Sequence, residues 1–278
     1  MSYKIVVDSC CELPEQFRQD ERFEIVPLML EVGEYHVIDD EHFDQARFLR
    51  EVAECPTCPK SSCPSPEAFR QAYRSEADHI YVVTLSSKLS GSYNSAVLGN
   101  KLYQEKYGEK KIYVFDSLSA ACGETQIVLK IMELEDKGLP FEEVVKQVEK
   151  FRDTVSTYFV LDNLETLRKN GRMSGMKALV ASTLSIKPIM AGDRGSIVQK
   201  GQAIGIKKAL GKLADLVIAD AGKNMGRRLM ITHCNALERA EYVRDLVLAK
   251  ADCLECLILD ARGVSSMYAN DGGVVVTI

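Results

Sequence analysis

The sequence predicts an α/β protein of two domains, an N-terminal parallel sheet flanked by helices and a C-terminal mixed α/β sheet. Three observations carry this. Short apolar runs of strand character alternate with stretches of helical periodicity, the pattern of strands joined by crossover helices. The chain's 278 residues exceed what one typical core organises. Charge is unevenly spread: residues 1–154 carry 18 Lys+Arg against 28 Asp+Glu, and residues 155–278 carry 17 against 12. The halves are therefore acidic and basic, which places the boundary between a domain at 1–154 and another at 155–278.

Lys4-Ile-Val-Val-Asp8-Ser9 reads as a buried strand ending in a polar turn. Glu24 to Leu30 is a second apolar run, and Pro27 puts it at a sheet edge. His42 to Val52 has helical spacing, with Phe43, Ala46, Leu49 and Val52 on one side. Lys60-Ser61-Ser62-Cys63-Pro64-Ser65 is a hydroxyl-rich turn, and Ser65-Pro66-Glu67 starts a helix with Pro in its first turn.

The central stretch is Ile80 to Leu102. Ile80 to Val83 is a strand, Thr84 to Gly91 a loop of small and hydroxyl residues, and a helix follows with Tyr93, Ala96, Val97 and Leu102 available for one face. Ser90 is placed to cap it. Strand, small-residue loop and helix start together make an anion-sized pocket with free amides.

Lys111 to Asp116-Ser117 repeats the first strand's form. Sites in parallel sheets lie beyond the C-terminal strand ends, where Asp8-Ser9, Thr84–Gly91 and Asp116-Ser117 fall. The two Asp-Ser pairs read better as turn-organising groups than as ligand contacts. Glu124 to Lys137 is helical and stops at Gly138, and Pro140 opens another helix through Phe151.

The second half begins at the strand Thr157 to Leu161. A short helix from Leu164 to Lys169 leads into Asn170-Gly171-Arg172-Met173-Ser174-Gly175, a loop with one cation between two glycines. Arg172 there is suited to a bidentate pair with a carboxylate or phosphate, although a solvated arginine has the same signature. Ser185–Met190 and Ser196–Val198 suit a hairpin, which makes the second sheet mixed. Helices over Lys207–Ala219 and Ala236–Ala249 alternate with strands at Leu229–His233, Cys253–Leu259 and Gly273–Ile278.

Several functions are disfavoured. The basic surplus of the second half is small and forms no Lys/Arg run, which argues against nucleic acid. No apolar run reaches membrane-spanning length, and Met1-Ser2-Tyr3-Lys4 enters a strand without a signal-peptide core. A cytoplasmic protein with no more than transient membrane contact is expected. Nine Cys in such a chain are expected to be reduced thiols. Cys55–Cys58, with Cys63 nearby, and Cys253–Cys256 have CxxC spacing, but positions i and i+3 of a strand face opposite ways and chelate poorly. No metal or cofactor is expected. The catalytic inventory is thin: Gly91-Ser92-Tyr93-Asn94 fails the nucleophile-elbow pattern, and neither a Walker A loop nor a dinucleotide fingerprint occurs.

Asp8-Ser9, Lys60 to Pro66, Leu89 to Ala96, Asp116-Ser117, Leu164 to Arg172 and Ile186-Lys187-Pro188-Ile189 together resemble the DegV family, in the family's order and over nearly the whole chain. The resemblance implies two α/β domains with a long-chain fatty acid buried between them. Its carboxylate would be held by Ser61, at the family's first hydroxyl, by Ser90 and Gly91, at its Ser-Gly pair, and by Arg172, at its arginine. These are groups able to satisfy a buried carboxylate. The tail would supply affinity at ~0.8 kcal/mol per buried methylene, so that sixteen carbons contribute on the order of 10 kcal/mol before ordering costs.

Two positions depart from the family. Tyr268 stands where the family often has His, and a phenol still donates to a carboxylate. Ile204 stands where some members carry an Arg used with a fatty acid kinase. The expected function is non-enzymatic: a carrier that presents the carboxylate to a kinase making acyl phosphate for phospholipid synthesis. The alternatives are a Ser-dependent acyl hydrolase or transferase using Ser90 with His233, and a carrier or sensor of another small carboxylate or phosphate.

Overall fold

The computed structural model describes residues 2–173, 185–222 and 227–278. In the N-terminal half the elements run β1 (Tyr3–Asp8), α1 (Glu15–Arg18), β2 (Phe23–Val26), β3 (Met29–Val32), β4 (Tyr35–Ile38), α2 (Gln45–Glu54), β5 (Lys60–Ser62) and α3 (Pro66–Ala72). They continue through β6 (His79–Thr84), α4 (Ser92–Tyr107), β7 (Lys111–Asp116), α5 (Cys122–Asp136) and α6 (Phe141–Arg152). The second half contains β8 (Thr157–Val160), α7 (Glu165–Lys169), β9 (Ile186–Asp193), β10 (Ser196–Ile204) and α8 (Ile206–Ala221). It ends with β11 (Arg228–His233), α9 (Leu237–Leu248), β12 (Glu255–Asp260), α10 (Gly263–Ala269) and β13 (Val274–Thr277).

Three sheets form among the described residues. The first, in the order β2-β1-β6-β7, is wholly parallel, as the alternating pattern predicts. The six-stranded sheet, β10-β9-β8-β13-β11-β12, is mixed: the β9–β10 hairpin is antiparallel, and the last strand inserts antiparallel between β8 and β11. The third, β4-β3-β5, is a small antiparallel sheet that the sequence reading did not anticipate. Pro27 explains half of this. The run from Glu24 to Leu30 is two strands in different sheets, parted at the residue that lacks an amide donor, and β2 does lie at an edge. The turn read at Lys60–Ser65 begins as the edge strand β5.

Helix α5 fastens the sheets to each other. Ile127, Val128, Ile131 and Leu134 join Ile5, Val7, Tyr81 and Val83 in the core under the parallel sheet. The same helix meets the six-stranded sheet through the Cys122 amide, which donates to Thr232 Oγ1 at 3.2 Å, and through Gln126 Nε2, which donates to the Arg228 carbonyl at 2.7 Å. Helices α8 and α9 supply the second core, in which Leu213, Val217 and Val243 pack on Leu229, Ile231 and Val276.

Two helix faces differ from the spacing argument. In α2 the buried residue is Phe48, and Ala46 is exposed. In α4 the buried positions are Ser92, Ala96, Gly99 and Tyr103; Tyr93, Val97 and Leu102 are half-buried. The cause in α4 is Gly99, where a Cβ would stand 2.7 Å from the Pro66 carbonyl oxygen. The missing side chain lets α3 and α4 pack backbone to backbone, which rotates the buried stripe.

At the N-terminal end of the parallel sheet, Glu135 Oε1 binds His79 Nδ1 at 2.7 Å and accepts from the Tyr81 hydroxyl at 2.5 Å, all three residues being buried. Glu135→Leu removes the group to which both His79 and Tyr81 are bonded. Loss of about 1–3 kcal/mol of stability is expected, read from the urea midpoint.

Candidate functional site

The loops at the C-terminal ends of β1, β6 and β7 are organised by their own aspartates. Asp8 Oδ2 accepts from the Leu85 amide at 3.0 Å, and Asp116 Oδ1 from the Ser87 amide at 3.0 Å. The two Asp-Ser pairs thus shape the loop after β6. Ser90 does not cap α4. Gly91 occupies the cap position, while Ser90 Oγ accepts from the Ser92 amide and donates to Ser92 Oγ, both at 3.2 Å. The loop closes one residue later than a Ser90 cap requires. Ser65 does cap α3, accepting from the Ala68 amide at 3.1 Å.

Ser61 and Tyr268 come from opposite ends of the chain. The Ser61 hydroxyl, on β5, lies 3.1 Å from the Tyr268 hydroxyl on α10. Arg172 lies over the same phenol ring, with its guanidinium carbon 5.7 Å from the centroid. Its Nε donates to the Leu89 carbonyl at 3.0 Å and its Nη1 to the Asn170 carbonyl at 2.7 Å. Its Nη2 has no hydrogen-bond partner among the described residues. Burial pushes the Tyr268 phenol up, while Ser61 and the Arg172 charge oppose the rise. The phenol is therefore a proton donor at neutral pH.

Asn170 spaces these groups. Its Nδ2 donates to the Pro59 carbonyl at 2.9 Å and contacts Cys58 Sγ at 3.4 Å, which ties the end of α7 to the start of β5. Ser174 and Gly175, the far side of the predicted arginine loop, lie outside the described residues.

Behind Tyr268 and Arg172 lies an apolar cavity of about 110 Å³ between the loops of the parallel sheet and the face of the six-stranded sheet. Leu85 and Leu118 line it from one side, and Phe159, Leu161, Leu167 and Val275 from the other. Arg172 is the one Lys, Arg, Asp or Glu in its lining among the described residues. Of the five residues expected at the carboxylate, Arg172 and Tyr268 line this cavity and Ser61 bonds to Tyr268. Ser90 and Gly91 do not line it. They sit alongside, since Leu89 both lines the cavity and accepts from Arg172, and a Cβ on Gly91 would lie 2.9 Å from Cys63 Sγ. Ile204 is 68 % exposed at the end of β10, away from the cavity lining.

A wider, open cleft of about 750 Å³ surrounds His233, Asp162, Asp260, Asp271 and Arg239. Its charged lining suits no apolar tail. His233 is engaged there: Nδ1 accepts from the Ala236 amide at 3.2 Å, and Nε2 lies 3.3 Å from Asp260. Burial lowers its pKa. Ser90 and His233 make their contacts in different places, so no Ser–His pair is assembled.

All nine cysteines are free thiols. Among the described residues no group of three or more His, Cys, Asp or Glu could hold a metal. Cys253 precedes β12 instead of belonging to it.

Beneath the cavity the buried strand-end Asp8 is joined by three buried acids that the sequence reading missed, Glu12, Asp39 and Glu124. Burial pushes Asp8 up to about 6 and Glu12 up to about 8, and raises Asp39 and, well above its usual range, Glu124. Nothing in the local sequence separates Glu12 and Asp39 from surface carboxylates, and Glu124 is marked only by its place in the first turn of a helix.

A model of the DegV family, described as an uncharacterised protein family, matches residues 2–278. A DegV domain-containing protein from Streptococcus pyogenes serotype M3 is 35% identical over 281 residues, covering 99% of each chain. Among solved structures, a DegV-family protein from Ruminococcus gnavus, refined with vaccenic acid, is 50% identical, with a TM-score of 0.96 and coverage of 100% of this chain and 99% of its own. The Fatty Acid Kinase (Fak) B3 protein of Streptococcus pneumoniae, loaded with linoleic acid, is 30% identical, with a TM-score of 0.88 and the same coverage. The motif order and the paired sheets agree with these likenesses along the full length, and this chain belongs to the DegV family.

Proposed function

We propose that the protein is a carrier of long-chain fatty acids. It buries the acyl chain between a domain of residues 1–154 and one of residues 155–278, and presents the carboxylate to a fatty acid kinase. The observation that carries this is a partly open apolar cavity with Arg172, Tyr268 and Ser61 grouped at one side of it. A tail excluded from water supplies affinity without directional contacts. The head group needs donors, and Arg172 Nη2, the Tyr268 and Ser61 hydroxyls and the Gly91 amide provide them, the Ser90 amide being held by the Ser86 carbonyl at 3.0 Å. The fatty acids bound by the R. gnavus and S. pneumoniae relatives support the ligand class, and the latter's description as a Fak B protein supports the kinase. The substitution at Ile204 leaves an apolar group on the surface where a kinase-docking cation would stand, so docking is expected to use other residues.

Native mass spectrometry of protein purified without added lipid tests the reading. A co-purified C14–C18 acid is expected, and delipidated protein should take up such an acid with one-to-one stoichiometry. Protein that neither carries nor takes up the acid would overturn the reading. Turnover of an acyl ester, abolished by Ser90→Ala, would replace it with the hydrolase.

A further inference from the structure

We infer that Asp39 is a positioning residue for the head-group site: by gripping the start of α10 from the other half of the chain, it sets where Tyr268 stands. The inference rests on the fatty-acid reading above and names a residue that does not touch the ligand.

The geometry is specific. Asp39 Oδ1 accepts from the Gly263 amide at 2.8 Å, and Oδ2 from the Val264 amide at 2.9 Å. Ser9 Oγ donates to Oδ2 at 3.0 Å and itself accepts from the Leu28 amide, so the carboxylate is fixed from behind. Glu12 Oε1 takes the preceding amide, that of Arg262, at 2.8 Å. Three successive amides at the start of α10 are thus held by two carboxyl groups more than 220 residues away in sequence. Gln45 Nε2 completes the grip, donating to the Ala261 carbonyl at 2.7 Å and to Ser266 Oγ at 3.1 Å. A Cβ on residue 263 would stand 2.6 Å from Asp39, so only glycine permits this approach.

Tyr268 is two residues beyond Ser266 on the same short helix. Its hydroxyl must meet Ser61, and its ring must lie under Arg172. Val264 and Met267 pack α10 into the core of Leu28, Leu30 and Phe48, but apolar contacts are non-directional and leave the helix's axial position and rotation to its polar contacts. The directional contacts at its start are the bonds that its otherwise free amides make, and Asp39 accepts two of them. A shift of α10 would move the phenol relative to Ser61, Arg172 and the adjoining cavity wall, where Val264 and Ser265 also stand.

The test is a double-mutant cycle on delipidated protein, titrated with palmitate. Asp39→Asn is isosteric but turns an amino group toward the Gly263 or Val264 amide. It is expected to weaken palmitate binding about tenfold in the wild-type background and less than twofold beside Tyr268→Phe. Ser9→Ala, which removes one support of Asp39 and leaves the backbone contacts, should act in the same direction and more weakly; it serves if Asp39→Asn does not fold. Equal losses in both backgrounds would mean that Asp39 acts on general stability and would overturn the inference, as would no loss at all. A ligand-free readout separates this from failure of the fatty-acid reading. In protein labelled with ¹³C-tyrosine, Asp39→Asn or Ser9→Ala should move the Tyr268 resonance, assigned with Tyr268→Phe. If palmitate does not bind but that resonance moves, the carrier reading fails and the positioning role stands. If the resonance stays in place, the positioning role fails.

Discussion

Arg172→Ala is expected to weaken binding of a C16–C18 acid by about 30- to 4,000-fold, the ~2–5 kcal/mol lost when one partner of a buried charged pair is removed. Two consequences add. The carboxylate loses its only facing guanidinium among the described residues that line the cavity. The Leu89 and Asn170 carbonyls lose the donors that hold the loop after β6 against the end of α7. Arg172→Lys should recover only part, because one ammonium cannot place donors on Leu89, Asn170 and a ligand together. Calorimetric titration with palmitate and with hexadecanol separates the two consequences. The alcohol buries the same tail and carries no charge, so its affinity should fall far less than that of the acid. Equal losses for both would show that Arg172 serves the loop and not the head group.

The strand–helix alternation made both large sheets legible, because strands such as Ile80–Val83 are apolar throughout and bounded by turn residues. The small sheet was not legible: β5 is three polar residues with no period to detect, and β3 was hidden in the run that Pro27 divides. The site was legible only as a pattern of motifs. Taken singly, Ser61, Arg172 and Tyr268 are a turn hydroxyl, a loop cation and a helix-end phenol. What joins them is the meeting of β5, the α7 loop and α10, up to 207 residues apart. The acids under the cavity other than Asp8 were illegible for the same reason. Asp39 and Glu12 become buried only when α10 closes over them, and no property of residues 12 or 39 announces a partner at 262–264.

Those acids lead to a pH dependence opposite to ordinary acid denaturation. The protein should lose stability as pH rises from about 5 to about 8, by several kcal/mol in all. Burial is the largest cause for each group: Asp8 rises from 3.8 to about 6 and Glu12 from 4.5 to about 8, with Glu124 raised further by the facing Asp8 charge. The unfolded chain releases these protons near their ordinary values, while the folded protein keeps them. The folded state therefore binds more protons throughout this window, and each rise in pH favours unfolding. For Glu12 the contribution is complete below about 4.5 and gone above about 8. Carboxylates with lowered values, such as Asp162 between Lys187 and Arg239, pull the other way, but only as pH falls below about 4. A stability maximum between the two ranges follows. Glu12→Gln keeps the acceptor for the Arg262 amide and cannot ionise, so its urea midpoint should exceed that of the wild type at pH 8 and fall less steeply between pH 6 and pH 8. A wild-type midpoint that climbs through this window would mean that these carboxyls are ionised in the folded protein, and that a cation or water reaches them beneath the cavity.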